Sequence, residues 1–308
     1  MQVNGSTRAP VHEWQATPAA VAHVTSATPS FRADYERQGF AVVKSVFSLD
    51  EVLEMRRRCA AVFARTEGKI GDIATYPELR EILLDERVVA IARAMLERPV
   101  YFGDSTFYAN SRFDRHMHND AHGDVEDPSV STYSILRMGL YLQDHAFHSN
   151  GLKVGPGSHR TVFWNVRNGL RLLGVGGKRL SLRAFKPTGY YNVPSEPGDL
   201  VFWNLRTHHA GHALRLRAMD GVALPPTLEH WLPARFARPM PKDRYAIFSS
   251  WGRESPELDR YIKQIGYSPH NQAYWQRSGF DGPEARAAFR ERDVAVRDDV
   301  LRLTKLGA

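Results

Sequence analysis

Between residue 100 and about residue 251 the chain is written as short β-rich runs, VYFGDSTFYANS, RMGLYLQDH, GDLVFWNL and RYAIFSSWG, parted by Gly, Pro, Asn and Asp. Many short strands with regular turn punctuation restrict the fold to a β-sandwich or a barrel, because each strand buries one face only against another sheet. The preceding text has a different period. SLDE (48–51) is a capping box, with Ser48 as N-cap and Glu51 three residues on, and Val52, Met55, Cys59, Val62 and Phe63 follow at helical spacing. The helix predicted there covers 49–65. A second helical region covers 77–97 and stops before Pro99.

The expected fold class is therefore α+β with a mainly β core and flanking helices. Residues 1–30, rich in Ala, Thr, Ser and Pro, read as a flexible arm, and residues 31–308 as one domain. Its β core spans about 100–251, and its helical tail, 254–308, ends in a helix over 283–304. No apolar run approaches the roughly 20 residues of a membrane-spanning helix. The single cysteine, Cys59, excludes an intramolecular disulfide and cysteine-rich metal sites, which fits a reducing, cytoplasmic setting. The net charge of +7 is spread along the chain without a basic tail, so nucleic acid is not the expected partner. A small, anionic substrate is the sharper reading, and the stretch 160–186, with seven basic residues and no acid, is a candidate lid for one. The segment 213–243, which carries Trp231, Phe236 and several prolines, is a second candidate cover.

The segment HMHNDAHGD (116–124) carries the densest chemistry, three histidines and two aspartates in nine residues. On an extended chain, residues two apart point to one face, roughly 6.6 Å apart. His118 and Asp120 can thus converge on one ion, and so can His122 and Asp124 in the alternative register. A third ligand has candidates in His208, His209 and His212, which cluster after GDLVFWNL. Two histidines and one carboxylate on one face leave coordination positions open, the arrangement used by non-haem Fe(II) oxygenases.

The order of the motifs is more telling than any one of them. ERQGFAVVKSVFSLDEV (36–52), His118-Asn119-Asp120, YLQDH followed by NGLKVGPGSHR, PGDLVFWNLRTHHAG and RYAIFSSWG occur in series over roughly 31–253. This series resembles the phytanoyl-CoA dioxygenase family of Fe(II)- and 2-oxoglutarate-dependent oxygenases. The resemblance implies a double-stranded β-helix, a jelly-roll of cupin type. It implies Fe(II), 2-oxoglutarate and O2 as cofactor and cosubstrates, with hydroxylation of a small organic molecule and release of succinate and carbon dioxide. It prefers His118, Asp120 and His209 as metal ligands, with His122 and Asp124 opening a loop. Arg244, at the head of RYAIFSSWG, and Gln143 are implied as cosubstrate contacts, with Arg215 and Arg217 as rivals of Arg244. His116, Tyr108 and Trp231 are substrate-side candidates. The family often carries a hydroxyl residue two positions after the distal histidine; Gly211 stands there, so one cosubstrate contact is unassigned. GPGSHR (155–160) reads as a structural turn.

Two other readings compete. A dinuclear zinc hydrolase would use His-x-His-x-Asp-His, but in HMHNDAH the last histidine comes one residue late. A non-catalytic binding protein on the same scaffold would be marked by loss of the triad, and a full triad can be drawn.

Overall fold

The computed structural model describes residues 18–109, 117–121, 134–160, 189–219, 222–241, 244–266, 273–276, 280, 282–297 and 299–300. Two sheets make the core. The larger has the order β1-β6-β3-β8-β2-β9 and the smaller β5-β4-β7. Their strands are β1 (Phe40–Val43), β2 (Val100–Ala109), β3 (Ile135–Tyr141), β4 (Gly151–Val154), β5 (Tyr191–Asn192), β6 (Leu200–Asn204), β7 (His209–Ala213), β8 (Tyr245–Gly252) and β9 (Ala295–Val296). The chain passes back and forth between the sheets, from β3 to β4, from β6 to β7 and from β7 to β8. Neighbouring strands are antiparallel except β2 and β9. This is the expected double-stranded β-helix.

Strand alternation divides the buried side chains into two populations. Tyr141, Leu152, Val154, Val201, Trp203, Ala246 and Phe248 fill the space between the sheets. Leu136, Met138, Leu140, Phe202, Ile247 and Trp251 point the other way and join the helices in one core running from Val24 to Val300. The helix α2 (Leu49–Arg65) starts with the expected capping box, and Val52, Met55, Cys59 and Val62 form its buried face. The region 77–97 is broken in two: α3 (Pro77–Leu83) ends at Leu84, and Asp85 caps α4 (Glu86–Leu96) by accepting from the Arg87 N–H.

The expected arm is corrected over 18–30, where α1 (Pro18–Gln38) begins well before residue 31. Val24, Phe31 and Tyr35 are buried, and the rings of Phe31 and Tyr35 pack on Phe202 with centroids 5.4 and 5.6 Å apart. Packing of this sparse apolar face overrides the weak local signal and the Pro29 inside the helix. Residues 1–17 lie outside the described ones. The expected terminal helix at 283–304 is corrected too. It is α7 (Pro283–Glu291), after which the chain turns at Asp293, with φ of 50°, and β9 joins the sheet edge beside β2. Two further helices are α5 (Pro226–Trp231) and α6 (Pro256–Gly266). Among the described residues no helix is long and apolar enough to cross a membrane.

Candidate metal centre

Backbone pairing sets the site. His118 and His209 face each other in an antiparallel bridge, each N–H donating to the other's carbonyl at 3.0 and 2.8 Å. The Asp120 and Ala121 N–H groups both donate to the Leu205 carbonyl, so the His-x-Asp segment is stitched to the β6–β7 turn on either side of its metal-facing side chains. Ligand atoms of His118, Asp120 and His209 then all lie within 4.8 Å of one another. Nε2 of His118 is 3.5 Å from Oδ1 of Asp120, and Nε2 of His209 is 3.5 Å from Oδ2.

The donor chemistry fits a divalent cation. Nδ1 of His209 lies 3.0 Å from the Thr207 carbonyl, which can only accept, so Nδ1 carries the proton and Nε2 keeps a lone pair directed toward the other two ligands. Burial pushes the His209 imidazole down to about 4, against the pull of Asp120, and the neighbouring His118 adds to the lowering. The ring is therefore neutral near pH 7, as a metal ligand must be.

Thr207 is itself fixed. Its hydroxyl donates to the Gly39 carbonyl at 2.7 Å, and Gly39 has φ of +83°. A Cβ on Gly39 would stand 2.4 Å from His159 Nδ1 and 2.5 Å from the Thr207 hydroxyl, so only glycine closes this turn. The GPGSHR turn clamps the same loop: the Ser158 hydroxyl accepts from the His208 N–H at 2.9 Å, and the His208 carbonyl accepts from the Gly155 N–H. The structural reading of that motif is realised. The His208 ring reaches Asn119 instead of the triad, with Nε2 3.3 Å from its amide nitrogen.

Arg244 is 2% exposed at the head of β8. Its Nε donates to the Asn150 carbonyl and Nη2 to the Gly211 carbonyl, both at 3.3 Å. Arg217, by contrast, is exposed and donates to the Ala237 carbonyl, and Arg215 reaches the Asn192 carbonyl at 3.4 Å. The Gln143 amide is engaged at both ends: Oε1 accepts from the Tyr245 N–H, and Nε2 donates to His145 Nε2 at 2.8 Å. Burial, with the charge of Arg244, pushes His145 down to about 3, which leaves Nε2 as the acceptor.

Trp231 is 82% exposed at the end of α5. That helix is anchored by Glu229, which pairs with Lys153 in the interior. Lys153 lies between Leu152 and Val154 on β4, on the sheet face turned away from the barrel space that those two residues fill. Leu224 and Glu229, within 213–243, thus lie against the outer side of the smaller sheet through Lys153. Tyr108 pairs with Ala246 in the β2–β8 register. His116, His122 and Asp124 lie outside the described residues, as does the stretch 160–186 except Arg160.

One neighbour of the triad escapes a search for ligand motifs. Nε of Arg137, on β3, stands 3.2 Å from Oδ2 of Asp120, and Nη2 donates to Asp104 at 2.9 Å. Asp104, Asp120 and Arg137 line a cavity of about 90 Å³ that Tyr261, Tyr274 and Trp275 close from the C-terminal segment. The alternation in ILRMGLY, which sets Arg137, Gly139 and Tyr141 on one face, is the signal that finds Arg137.

Two histidines and one carboxylate brought together at the strand ends of a jelly-roll are the donor set of a facial triad and could hold one metal ion. The chain belongs to the phytanoyl-CoA dioxygenase (PhyH) family, whose profile matches residues 35–215. It is 26% identical to the ectoine dioxygenase of Sphingopyxis alaskensis over 149 residues, 42% of this chain and 49% of that protein. The chain thus spans about half the length of the curated relative it matches. Among solved structures it is similar to iron-bound EctD from S. alaskensis, with 20% identity, 72% of this chain and 75% of that one covered, and a TM-score of 0.49. It is also similar to apo HygX from Streptomyces hygroscopicus, with 18% identity, 73% and 86% covered, and a TM-score of 0.49. A third is the epimerase SnoN from nogalamycin biosynthesis, with 16% identity, 74% and 83% covered, and a TM-score of 0.47.

Proposed function

We propose that this protein is an Fe(II)- and 2-oxoglutarate-dependent oxygenase that hydroxylates a small organic substrate. The observation that carries the reading is the convergence of His118, Asp120 and His209, with the His209 tautomer set for ligation. His118 and His209 present Nε2 to the ion, and Asp120 supplies the anionic ligand. Iron held by these three residues would supply, with 2-oxoglutarate and dioxygen, the oxidising chemistry of a hydroxylation, with succinate and carbon dioxide as coproducts. Arg244 receives the far carboxylate of 2-oxoglutarate, for which a guanidinium kept in the protein interior has the fitting charge and geometry. Gln143 remains a candidate contact of the cosubstrate: Nε2 donates one N–H to His145 and has a second to offer, while Oε1 ties the side chain to the head of β8. Tyr108, whose strand position pairs with Ala246, is kept as a substrate-side candidate, as His116 is from the sequence. The ectoine dioxygenase match supports a small-molecule substrate, and the net charge of +7 favours an anionic one. The single, buried Cys59 fits a cytoplasmic enzyme.

The test is metal-dependent consumption of 2-oxoglutarate with release of succinate. His209→Ala removes a ligand outright. Outer partners of metal ligands already account for about 10- to 100-fold in affinity or activity, so loss of the ligand should cost more than roughly 100-fold in both. Two metal ions per chain, or unchanged metal content in His209→Ala, would sink the reading.

A further inference from the structure

Arg137 puts a cation on a face of β3 otherwise given to the aromatic filling of Tyr141, Trp203 and Phe248. Its side chain is only 17% exposed, and a guanidinium so far from water costs free energy that an apolar side chain would not. What it meets gives it a use. Nη2 donates to Asp104 at 2.9 Å, and Nε stands 3.2 Å from Oδ2 of Asp120, so one guanidinium bridges two carboxylates. Asp120 belongs to the triad and Asp104 does not.

Asp104 is aimed by the strand that carries it. β2 shifts register against β8 between Tyr101 and Ser105, and Gly103, within the shift, has φ of +74°. A Cβ there would stand 2.5 Å from the Phe280 ring, so the turn requires glycine. Beyond it the side chains alternate: Ser105 turns outward to the buried Asp72, and Asp104 inward to Arg137. The C-terminal segment holds the carbonyls on either side of Asp104. The Trp275 indole N–H donates to Gly103 at 2.7 Å, and the Tyr274 hydroxyl donates to Ser105. Both aromatics lie beyond residue 215, where the family profile ends.

Asp120 is the ligand that gains from such a clamp. Its N–H is fixed on the Leu205 carbonyl, which sets the main chain, but the carboxylate can still turn about two single bonds. A ligand that must be frozen on binding gives up rotamer entropy, and one already held does not.

We propose that Arg137 is a positioning residue for the metal centre: clamped by Asp104, it holds the Asp120 carboxylate in the orientation that meets His118 and His209. The proposal rests on the oxygenase reading only for the metal site and involves no cosubstrate contact.

The experiment is calorimetric titration of the metal-stripped, full-length protein with Co(II), an air-stable probe of an Fe(II) site, alongside thermal unfolding of the same samples. Arg137→Gln should weaken Co(II) about 10- to 100-fold, the usual cost of losing a partner that orients a metal ligand. Asp104→Asn should weaken it in the same direction by a smaller factor. The double variant should bind no more weakly than Arg137→Gln alone, because Asp104 acts through Arg137. Unchanged Co(II) affinity in Arg137→Gln, with or without a lower thermal midpoint, would make the residue a staple between strands and overturn the proposal. Tighter binding would mean that the guanidinium merely repels the ion, and losses that multiply in the double variant would mean that Asp104 acts by its own charge; each overturns it too. If Arg137→Gln does not fold, Asp104→Asn decides, and wild-type affinity there overturns the proposal. Wild-type protein that binds Co(II) but consumes no 2-oxoglutarate in its Fe(II) form removes the oxygenase reading and leaves the proposal standing, whereas wild-type protein that binds no Co(II) overturns both.

Discussion

Alternate residues of β3 live in two different environments. Leu136, Met138 and Leu140 sink into the apolar core shared with the helices. Arg137 and Tyr141, facing the other way, meet Asp120 and the Arg244 corner. The outer face is mainly apolar, and Ser249, the polar side chain opposite Met138, is satisfied by accepting from the Trp251 indole N–H. The inner face retains buried polar atoms without partners among the described residues, including the Tyr141 hydroxyl and the Trp203 indole N–H. A single strand thus separates stability from chemistry by the two-residue period of its side chains. The comparison breaks if outer-face substitutions alter ligand binding at constant folding, or if inner-face ones chiefly unfold the protein.

The largest stability effect belongs to the outer face. Met138, 2% exposed, lies opposite Phe202 and Ser249 in the sheet register. Met138→Ala should cost about 2–5 kcal/mol in denaturant unfolding, the usual range for a truncated core side chain. The folded fraction should bind metal and 2-oxoglutarate with unchanged constants. A shifted binding constant would show that the two faces are coupled.

A buried carboxylate behind β2 tests the outer side by pH. Asp72 is fully buried, and burial raises it to about 6 although Tyr101, Ser105 and the Ala74 N–H all donate to it. A folded value above the unfolded value of 3.8 means that the folded state holds the proton more tightly. The associated stability is fully present below the unfolded value and is lost as pH rises through about 6. At most roughly 3 kcal/mol is at stake, because each tenfold difference in proton affinity between the two states is worth about 1.4 kcal/mol. Unfolding measured between pH 4 and pH 7 should show this decline, and Asp72→Asn should remove it. A slope that survives in the variant would assign it to another group.

On the inner face the expected change is in binding. Arg244→Gln removes a charge-assisted pair that contributes about 1.5–3 kcal/mol, or roughly 10- to 100-fold in the apparent constant for 2-oxoglutarate. The substrate constant should move far less. If Arg215→Gln or Arg217→Gln produces this effect and Arg244→Gln does not, the cosubstrate corner has been placed on the wrong strand.

Different parts of this molecule were legible in the sequence for different physical reasons. The Ser48–Glu51 box and the amphipathic face of α2 are local, so their signal sits in adjacent residues. The double-stranded β-helix followed from strand texture and motif order. His118 and Asp120 share a segment, but choosing His209 over His208 required the resemblance, and its physical cause is the bridge to His118. The start of α1 was illegible because Val24, Phe31 and Tyr35 are too widely spaced to announce a face before Phe202 exists to cover it. Arg137 and Tyr141 were hidden in a run that reads as apolar strand, and the register against β8 was needed to give each a direction. The break between α3 and α4 lay in Asp85, which reads as one more polar helix residue until its side chain is seen to cap.

The smallest expected effect concerns the outside of the smaller sheet. Within α5, Glu229 is 1% exposed, bound to Lys153 and to the Leu214 N–H, whereas Trp231, two residues on, is 82% exposed. The helix is held by its buried pair, so the large aromatic at its end adds little to its anchoring. Trp231→Ser should therefore change unfolding stability by less than about 0.5 kcal/mol, the range of surface substitutions, and leave 2-oxoglutarate binding untouched. Loss of more than about 1 kcal/mol would show that the contacts of Trp231 hold α5 more strongly than its 82% exposure implies. A weakened 2-oxoglutarate constant at unchanged stability would bring α5 to the mouth of the site and restore the segment 213–243 as a cover over it.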